Sequence, residues 1–263
     1  MTDNVRVIIS LIKIVILASA VIAAYIRVRK EGGQSPAPLT FFVLGTACHL
    51  CTEAYYLAHL LLASKNRMPY FSAEDIGIYG SFLLFSSCLK TAVPHSGKYA
   101  AKFVVLSGVF TLINAGLYVH YGTEIIPALF YFLVMGTFMV AILQSLEDLG
   151  SLSGRRFALF AAAAAFLSAL LLVEPLLFGG AKTVVLYLEA LVWFAVMVYL
   201  VWRTAGALKS GDRRALPLAF ATFLCSIFTM YMSYDPWYSI ADILSASFNI
   251  LIFAAVLQEV KRI

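Results

Sequence analysis

Long apolar runs separated by short polar segments dominate the chain. Nine such runs are apolar around the whole helical circumference and not along one face only. A bilayer core about 30 Å thick needs ~20 apolar helical residues, and backbone groups cannot stay unpaired in lipid, so runs of this length predict transmembrane helices. The predicted spans are residues 5–27, 39–63, 73–91, 99–119, 123–145, 157–178, 183–204, 215–233 and 240–258.

The composition supports an all-α, polytopic membrane bundle that forms a single integral membrane domain over residues 1–263. Apolar residues make up 62% of the chain and charged residues 13%, against about 45–50% and about 25% in soluble domains. The net charge of +5 does not indicate a nucleic-acid partner, because the basic residues lie in short loops beside the spans. The expected partner is the lipid bilayer.

The distribution of basic residues predicts the orientation. Most lysines and arginines follow the odd-numbered spans: Arg27, Arg29, Lys30, Lys90, Lys98, Lys102, Arg155, Arg156, Arg203, Lys209, Arg213, Arg214, Lys261 and Arg262. By the positive-inside rule, we expect the N-terminus outside, the C-terminus in the cytoplasm, and a multi-pass location in a cell membrane, of the bacterial inner-membrane type. Lys13 lies within the first span, and we expect it to snorkel toward the surface.

A short motif occurs twice and predicts an internal repeat. Residues 70–76 and 237–243 share an aromatic pair, a serine, an acid three residues later and a following isoleucine. Spans one to three are therefore predicted to be related to spans seven to nine. Ser72-x-x-Asp75 and Ser239-x-x-Asp242 both fit the capping box, in which serine and acid satisfy free amides at a helix start. We assign these four residues to structural capping.

Polar residues within the spans lie from mid-membrane outward in the predicted orientation. They are His49, Glu53, Asn114, Glu174, Glu189 and Asn249. Ionisable groups at this depth cost a few kcal/mol each and usually face a bundle interior or a functional site. We expect the six to bind a ligand in a polar cavity open to the outside. The alternative is that they hydrogen-bond to one another and only fix helix packing.

The sequence gives little support for nucleotide binding, serine hydrolase activity or a metal site. The sequence contains no GxxxxGKS/T, GxGxxG, GxSxG or HExxH motif. His59 lies about three helical turns beyond His49, so one metal ion cannot easily take both. We predict no metal ligands and no catalytic residues, and the sequence indicates no cofactor.

One segment supports a family resemblance. Pro69–Phe85, PYFSAEDIGIYGSFLLF, and the similar Pro236–Phe253 resemble stretches in multi-span membrane sensor regions of bacterial signalling proteins of the diguanylate cyclase and histidine kinase type. The resemblance implies a sensor that signals to the cytoplasm. The sequence stops at Ile263 without an output domain, so we expect a separate cytoplasmic signalling partner. The resemblance transfers no catalytic or ligand-contacting residue.

Three function classes follow. The first is a membrane-embedded sensor or ligand-binding module with an outward-facing polar cavity, acting with a cytoplasmic partner. The alternative is a proton-coupled small-solute transporter, and the second alternative is an intramembrane lipid-modifying hydrolase. A transporter must expose its site to both sides, and the inner half of these spans offers few polar groups. The pattern therefore favours the sensor, and a non-enzymatic role over an enzymatic one.

Overall fold

The computed structural model describes residues 3–30, 36–62, 72–93, 100–120, 125–152, 155–173, 176–177, 180–231 and 237–262. Over these ranges the chain forms nine α-helices and no strand, so the predicted all-α fold is confirmed. The helices are α1 (Asp3–Lys30), α2 (Ala37–Leu62), α3 (Ala73–Ala92), α4 (Ala101–His120), α5 (Ile125–Asp148), α6 (Arg155–Val173), α7 (Gly180–Ser210), α8 (Ala215–Tyr231) and α9 (Trp237–Val260).

Four of the described helices are long and apolar enough to cross a membrane, which supports a membrane protein. These segments are Asn4–Lys30, Ile125–Asp148, Ala190–Ser210 and Ser239–Val260. Ala101–Gly116 and Ala215–Met230 are apolar but shorter. The α2 helix, which carries His49 and Glu53, is not among the four. Nine membrane spans, their orientation and the internal repeat stay predictions.

The centre of the bundle is built from α2, α3, α5, α8 and α9. The α1 helix packs against α2 and α9, α4 against α5, and α7 against α8 and α9. In the described part of the chain, α6 contacts only α4 and α7. Phenylalanines fill the centre: the ring centroid of Phe85 lies 5.2 Å from that of Phe220 and 5.6 Å from that of Phe223. Such aromatic pairs add to the packing contacts that hold membrane helices together.

A glycine sets the close approach of α2 and α3. A Cβ atom at Gly77 would lie 2.2 Å from Thr52 Oγ1 and 3.2 Å from the Cys48 carbonyl oxygen. Thr52 Oγ1 donates to the carbonyl oxygens of Cys48 (3.1 Å) and Glu74 (3.3 Å). Small residues let helix backbones approach in this way, and hydroxyl groups then bond across the contact.

The start of α3 shows the predicted capping box. The Asp75 backbone N–H donates to Ser72 Oγ, and the Ser72 backbone N–H donates to Asp75 Oδ2 at 3.0 Å. This exchange satisfies backbone groups that a helix start leaves unpaired.

The turn between α7 and α8 is tied to the end of α9. Gly211 adopts a φ of 68°, which glycine accepts without strain. Gln258 Nε2 donates to the Asp212 carbonyl oxygen at 3.0 Å, and Arg262 bonds to the Gly211 carbonyl oxygen. The side-chain hydrogen bond from Arg214 lowers the pKa of Asp212. This turn and the last residues of α9 therefore define one end of the bundle, the C-terminal end; α1 begins at the opposite, N-terminal end.

Candidate functional site

Lys13 of α1 is buried between two carboxylates from other helices. Its Nζ lies 2.5 Å from Glu53 Oε1 of α2 and 2.5 Å from Asp242 Oδ1 of α9. The exposed fractions of the three residues are 5%, 6% and 8%. The expectation that Lys13 snorkels to the surface is therefore wrong. We call Lys13, Glu53 and Asp242 the charge cluster.

Mutual packing of three helices brings the charge cluster together. The helices α1, α2 and α9 each contact the other two. Lys13 lies in the first half of α1, Glu53 in the last third of α2 and Asp242 near the start of α9. All three therefore lie toward the N-terminal end of the bundle. The attraction of Lys13 to both carboxylates holds the cluster together, because each of these charges alone would be strongly unfavourable in a buried place.

Asp242 pairs with Lys13, a role beyond the capping predicted for it. The α9 helix begins at Trp237, so Ser239 lies within its first turn and not at the residue preceding the helix. The Asp242 carboxylate accepts a hydrogen bond from Lys13. The two copies of the motif therefore take different places, because Ser72 precedes α3 whereas α9 begins two residues before Ser239.

A polar track continues from the charge cluster toward the centre of the bundle. His49, one turn before Glu53 on α2, places Nε2 at 3.8 Å from Glu53 Oε1. Its Nδ1 lies 3.4 Å from Asn249 Nδ2 of α9, and Thr46 Oγ1 donates to Asn249 Oδ1 at 3.4 Å. An amide nitrogen can only donate, so this contact favours the His49 tautomer that carries its proton on Nε2, the nitrogen facing Glu53. His49 and Asn249 are 2% and 0% exposed.

The polar track stops at aromatic rings. One turn beyond Thr46 on α2, the ring of Phe42 stacks on Phe253 and Phe85, with centroid distances of 5.6 and 6.3 Å. The ring of Phe223 meets His49 edge-on at 5.8 Å. The polar track thus extends from the charge cluster to the middle of α2 and ends there at packed apolar side chains.

The charge cluster carries unbalanced charge when all its members are ionised. One ammonium group faces two carboxylates, and Glu53 Oε2 has no hydrogen-bond partner among the described residues. His49 and Tyr56 on α2 and Glu74 on α3 interact electrostatically with members of the cluster, and Arg6 on α1 interacts with Tyr56. An excess negative charge in an apolar interior favours the uptake of a proton or a cation.

Of the other predicted ligand-binding residues, the structure describes the side chain of Asn114 alone, and it lies apart from this site. Asn114 is buried on α4, where its Nδ2 donates to the Phe110 carbonyl oxygen at 2.8 Å. Glu189 lies on α7, which does not pack against α2 in the described part of the chain, and its side chain is outside the described residues. Glu174 is also outside the described residues. Of the predicted residues whose side chains the structure describes, His49, Glu53 and Asn249 therefore lie at the site.

Sequence reasoning missed Lys13 and the pairing role of Asp242. The sequence did contain a signal for this pair. Lys13 and Asp242 are charged residues in apolar spans, and the predicted orientation puts both in the outer half of the membrane. Opposite charges at the same depth are candidates for a buried pair. The three residues nonetheless lie far apart in sequence, so pattern alone did not reveal that α1 and α9 touch.

No group of three or more His, Cys, Asp or Glu side chains in the described ranges is placed to hold a metal ion. The site combines an amine, two carboxyl groups and an imidazole, a set suited to proton exchange or to binding of a small ion. In comparisons with known proteins, no family model, curated protein or solved structure matches the chain.

Proposed function

We propose that this protein is a membrane-embedded sensing module whose response is triggered at the charge cluster. The observation that carries the proposal is the buried contact of Lys13 with Glu53 and Asp242, which joins α1, α2 and α9. Ionisable groups at membrane depth are costly and mark functional sites more often than structural ones. A proton or small cation reaching the cluster changes the attraction between the three helices.

Charge balance supports this role. With Glu53 and Asp242 both ionised and Lys13 protonated, the cluster has a net charge of −1. Neutralising one carboxylate with a proton balances the cluster but weakens one of its two contacts to Lys13. The two charge states therefore favour different strengths of contact between α1, α2 and α9, which is the property that a switch requires.

The blocked polar track favours sensing over transport. Transport requires a route from the site to both sides of the membrane. Beyond Thr46, the stacked rings of Phe42, Phe85 and Phe253 occupy the level where such a route would continue. The proton-coupled transporter remains the second candidate, because the buried carboxylates and His49 are groups that carry protons in such proteins.

The proposed setting is a cell membrane of the bacterial inner-membrane type, crossed nine times. The N-terminal end, which carries the charge cluster, faces outward, and the C-terminal end faces the cytoplasm. Basic residues at the C-terminal end, including Lys209, Arg213 and Lys261, support this orientation. These residues also form a basic surface for a cytoplasmic partner that responds to changes in the packing of α9.

The test compares Glu53→Gln with Glu147→Gln, a carboxylate in a partly exposed pair with Lys102. The purified protein is reconstituted in liposomes with fixed internal pH, and external pH is varied between ~4 and ~8. We expect a saturable change in intrinsic tryptophan fluorescence in the wild type and in Glu147→Gln, lost in Glu53→Gln, with no proton flux. Flux that Glu53→Gln abolishes would establish the transporter instead. A fluorescence response that Glu53→Gln retains would refute a role for the cluster.

A further inference from the structure

A cavity of about 600 Å³ lies between α4, α5, α6, α7 and α8, away from the charge cluster. Its wall is mostly apolar and includes Phe110, Leu143, Leu200 and Phe228. This volume falls within the usual ~300–1,000 Å³ of ligand sites. One wall is α6, which contacts only α4 and α7 among the described helices. Leu159 and Tyr199 line the cavity and are 63% and 54% exposed, so the cavity opens to the surface of the bundle, which lipid covers in a membrane.

Two arginines lie at the C-terminal end of this cavity. Arg156 is in the first turn of α6, and Arg203 lies two turns before the end of α7. Both line the cavity and both are exposed. Neither forms an ion pair with another described residue, whereas Arg214 and Arg262 at the same end pair with Asp212 and Glu259. The cavity therefore combines an apolar interior with two unneutralised cations at its mouth.

The cavity extends from this mouth toward the middle of the bundle. Trp193 lines its deep part and lies ten residues before Arg203, a rise of about 15 Å along α7. The indole stacks on Phe228 with a centroid distance of 5.2 Å, and its Nε1 has no hydrogen-bond partner in the described part of the chain. The site is thus elongated along the helix axes, with its charge at one end only.

We propose that the cavity binds one anionic phospholipid, with the phosphate between Arg156 and Arg203 and an acyl chain reaching toward Trp193. Guanidinium groups match phosphate oxygens in pairs, and basic pockets between helices on the cytoplasmic side bind anionic head groups. A free phosphate ion would leave the apolar wall uncovered. This proposal goes beyond the sensing role and rests on the proposed membrane setting and orientation.

Selectivity must come from the head group. An acyl chain gains little by leaving a bilayer for an apolar cavity, since lipid tails are as apolar as the side chains that line it. The two arginines, in contrast, distinguish a net negative lipid from a zwitterionic one. The expected behaviour is retention of phosphatidylglycerol over phosphatidylcholine.

The test measures lipid bound to the purified protein by native mass spectrometry, after equal incubation with phosphatidylglycerol, phosphatidylcholine or inorganic phosphate. The variant Arg156→Gln/Arg203→Gln is compared with Arg155→Gln/Lys209→Gln, which removes the same charge from exposed residues that do not line the cavity. We expect the wild type and the control to prefer phosphatidylglycerol about 10-fold or more, and the cavity variant to lose that preference.

A second variant separates the apolar part of the site from its charge. Ala163→Trp fills the cavity from α6 and leaves both arginines in place; we expect it to lose bound phosphatidylglycerol as well. Equal losses in the cavity variant and its control, or binding of inorganic phosphate as tight as that of phosphatidylglycerol, would overturn the proposal. Membrane fractionation of each variant is scored separately, so a failure of membrane insertion is not mistaken for a failure of lipid binding.

Discussion

At the residue scale, Lys13 is the position where a single change should matter most. Replacing it with methionine keeps the apolar stem but leaves Glu53 and Asp242 buried without their cation. Breaking a buried ion pair in this way costs about 3–5 kcal/mol. We expect Lys13→Met to lower the thermal unfolding temperature in detergent markedly, as followed by circular dichroism.

Lys102→Met is the matched control for that experiment. Lys102 pairs with Glu147, but their side chains are 39% and 25% exposed, and such pairs contribute about 1 kcal/mol or less. The triple variant Lys13→Met/Glu53→Gln/Asp242→Asn removes the charges together and should recover much of the lost stability. Equal effects of Lys13→Met and Lys102→Met would show that the charge cluster does not hold α1 to α2 and α9.

Single residues also show where sequence reasoning succeeds and where it fails. The capping box at Ser72 and Asp75 is a local pattern, and local patterns can be read from one sequence. The buried contact of Lys13 with Asp242 depends on how α1 and α9 pack. A helix that is apolar around its whole circumference has no apolar face from which its neighbouring helix could be predicted. His49, Glu53 and Asn249 were found because a polar group in an apolar span is conspicuous by itself.

At the scale of helices, the contact of α2 with α3 depends on Gly77. A methyl group there would lie 2.2 Å from Thr52 Oγ1, so the two helices must separate or the Thr52 hydrogen bonds must break. Overpacking of this kind costs about 1–3 kcal/mol. We expect Gly77→Ala to lower the unfolding temperature. Gly108→Ala on α4 is the control, because a Cβ there meets no atom within 4 Å and alanine favours helix; a loss as large in Gly108→Ala would refute the steric explanation.

The helices themselves were predictable because their cause is local. A run of about 20 apolar residues has few options besides a helix, so the predicted spans and the observed helices coincide to within a few residues at most ends. The sequence did not indicate that α6 packs loosely or that a cavity lies beside it. The packing of α6 and the cavity both depend on which faces of the neighbouring helices α4, α7 and α8 pack together. When helices are uniformly apolar, side-chain shape decides which faces pack, and the hydrophobic pattern does not reveal it.

At the scale of the whole molecule, two polar features lie toward opposite ends. The charge cluster and its track occupy the N-terminal end, and the exposed arginines of the cavity occupy the C-terminal end. Between them lie the phenylalanines of α3, α5 and α8. A signal from the cluster to a partner at the C-terminal end would pass along α9, which carries Asp242 near one end and Glu259 near the other.

The orientation of the protein in the membrane decides which side of the membrane each end of the bundle faces. We expect Asn4→Cys, at the exposed start of α1, to react with a membrane-impermeant maleimide in intact cells. Lys209→Cys, exposed near the end of α7, should react only after permeabilisation, because basic loops stay in the cytoplasm. Cys48, Cys51, Cys88 and Cys225, which all lie within helices, are first replaced so that only the new thiol reports. The opposite result would turn the charge cluster toward the cytoplasm and the arginines of the cavity toward the outer leaflet, and the sensing proposal would then require an intracellular stimulus.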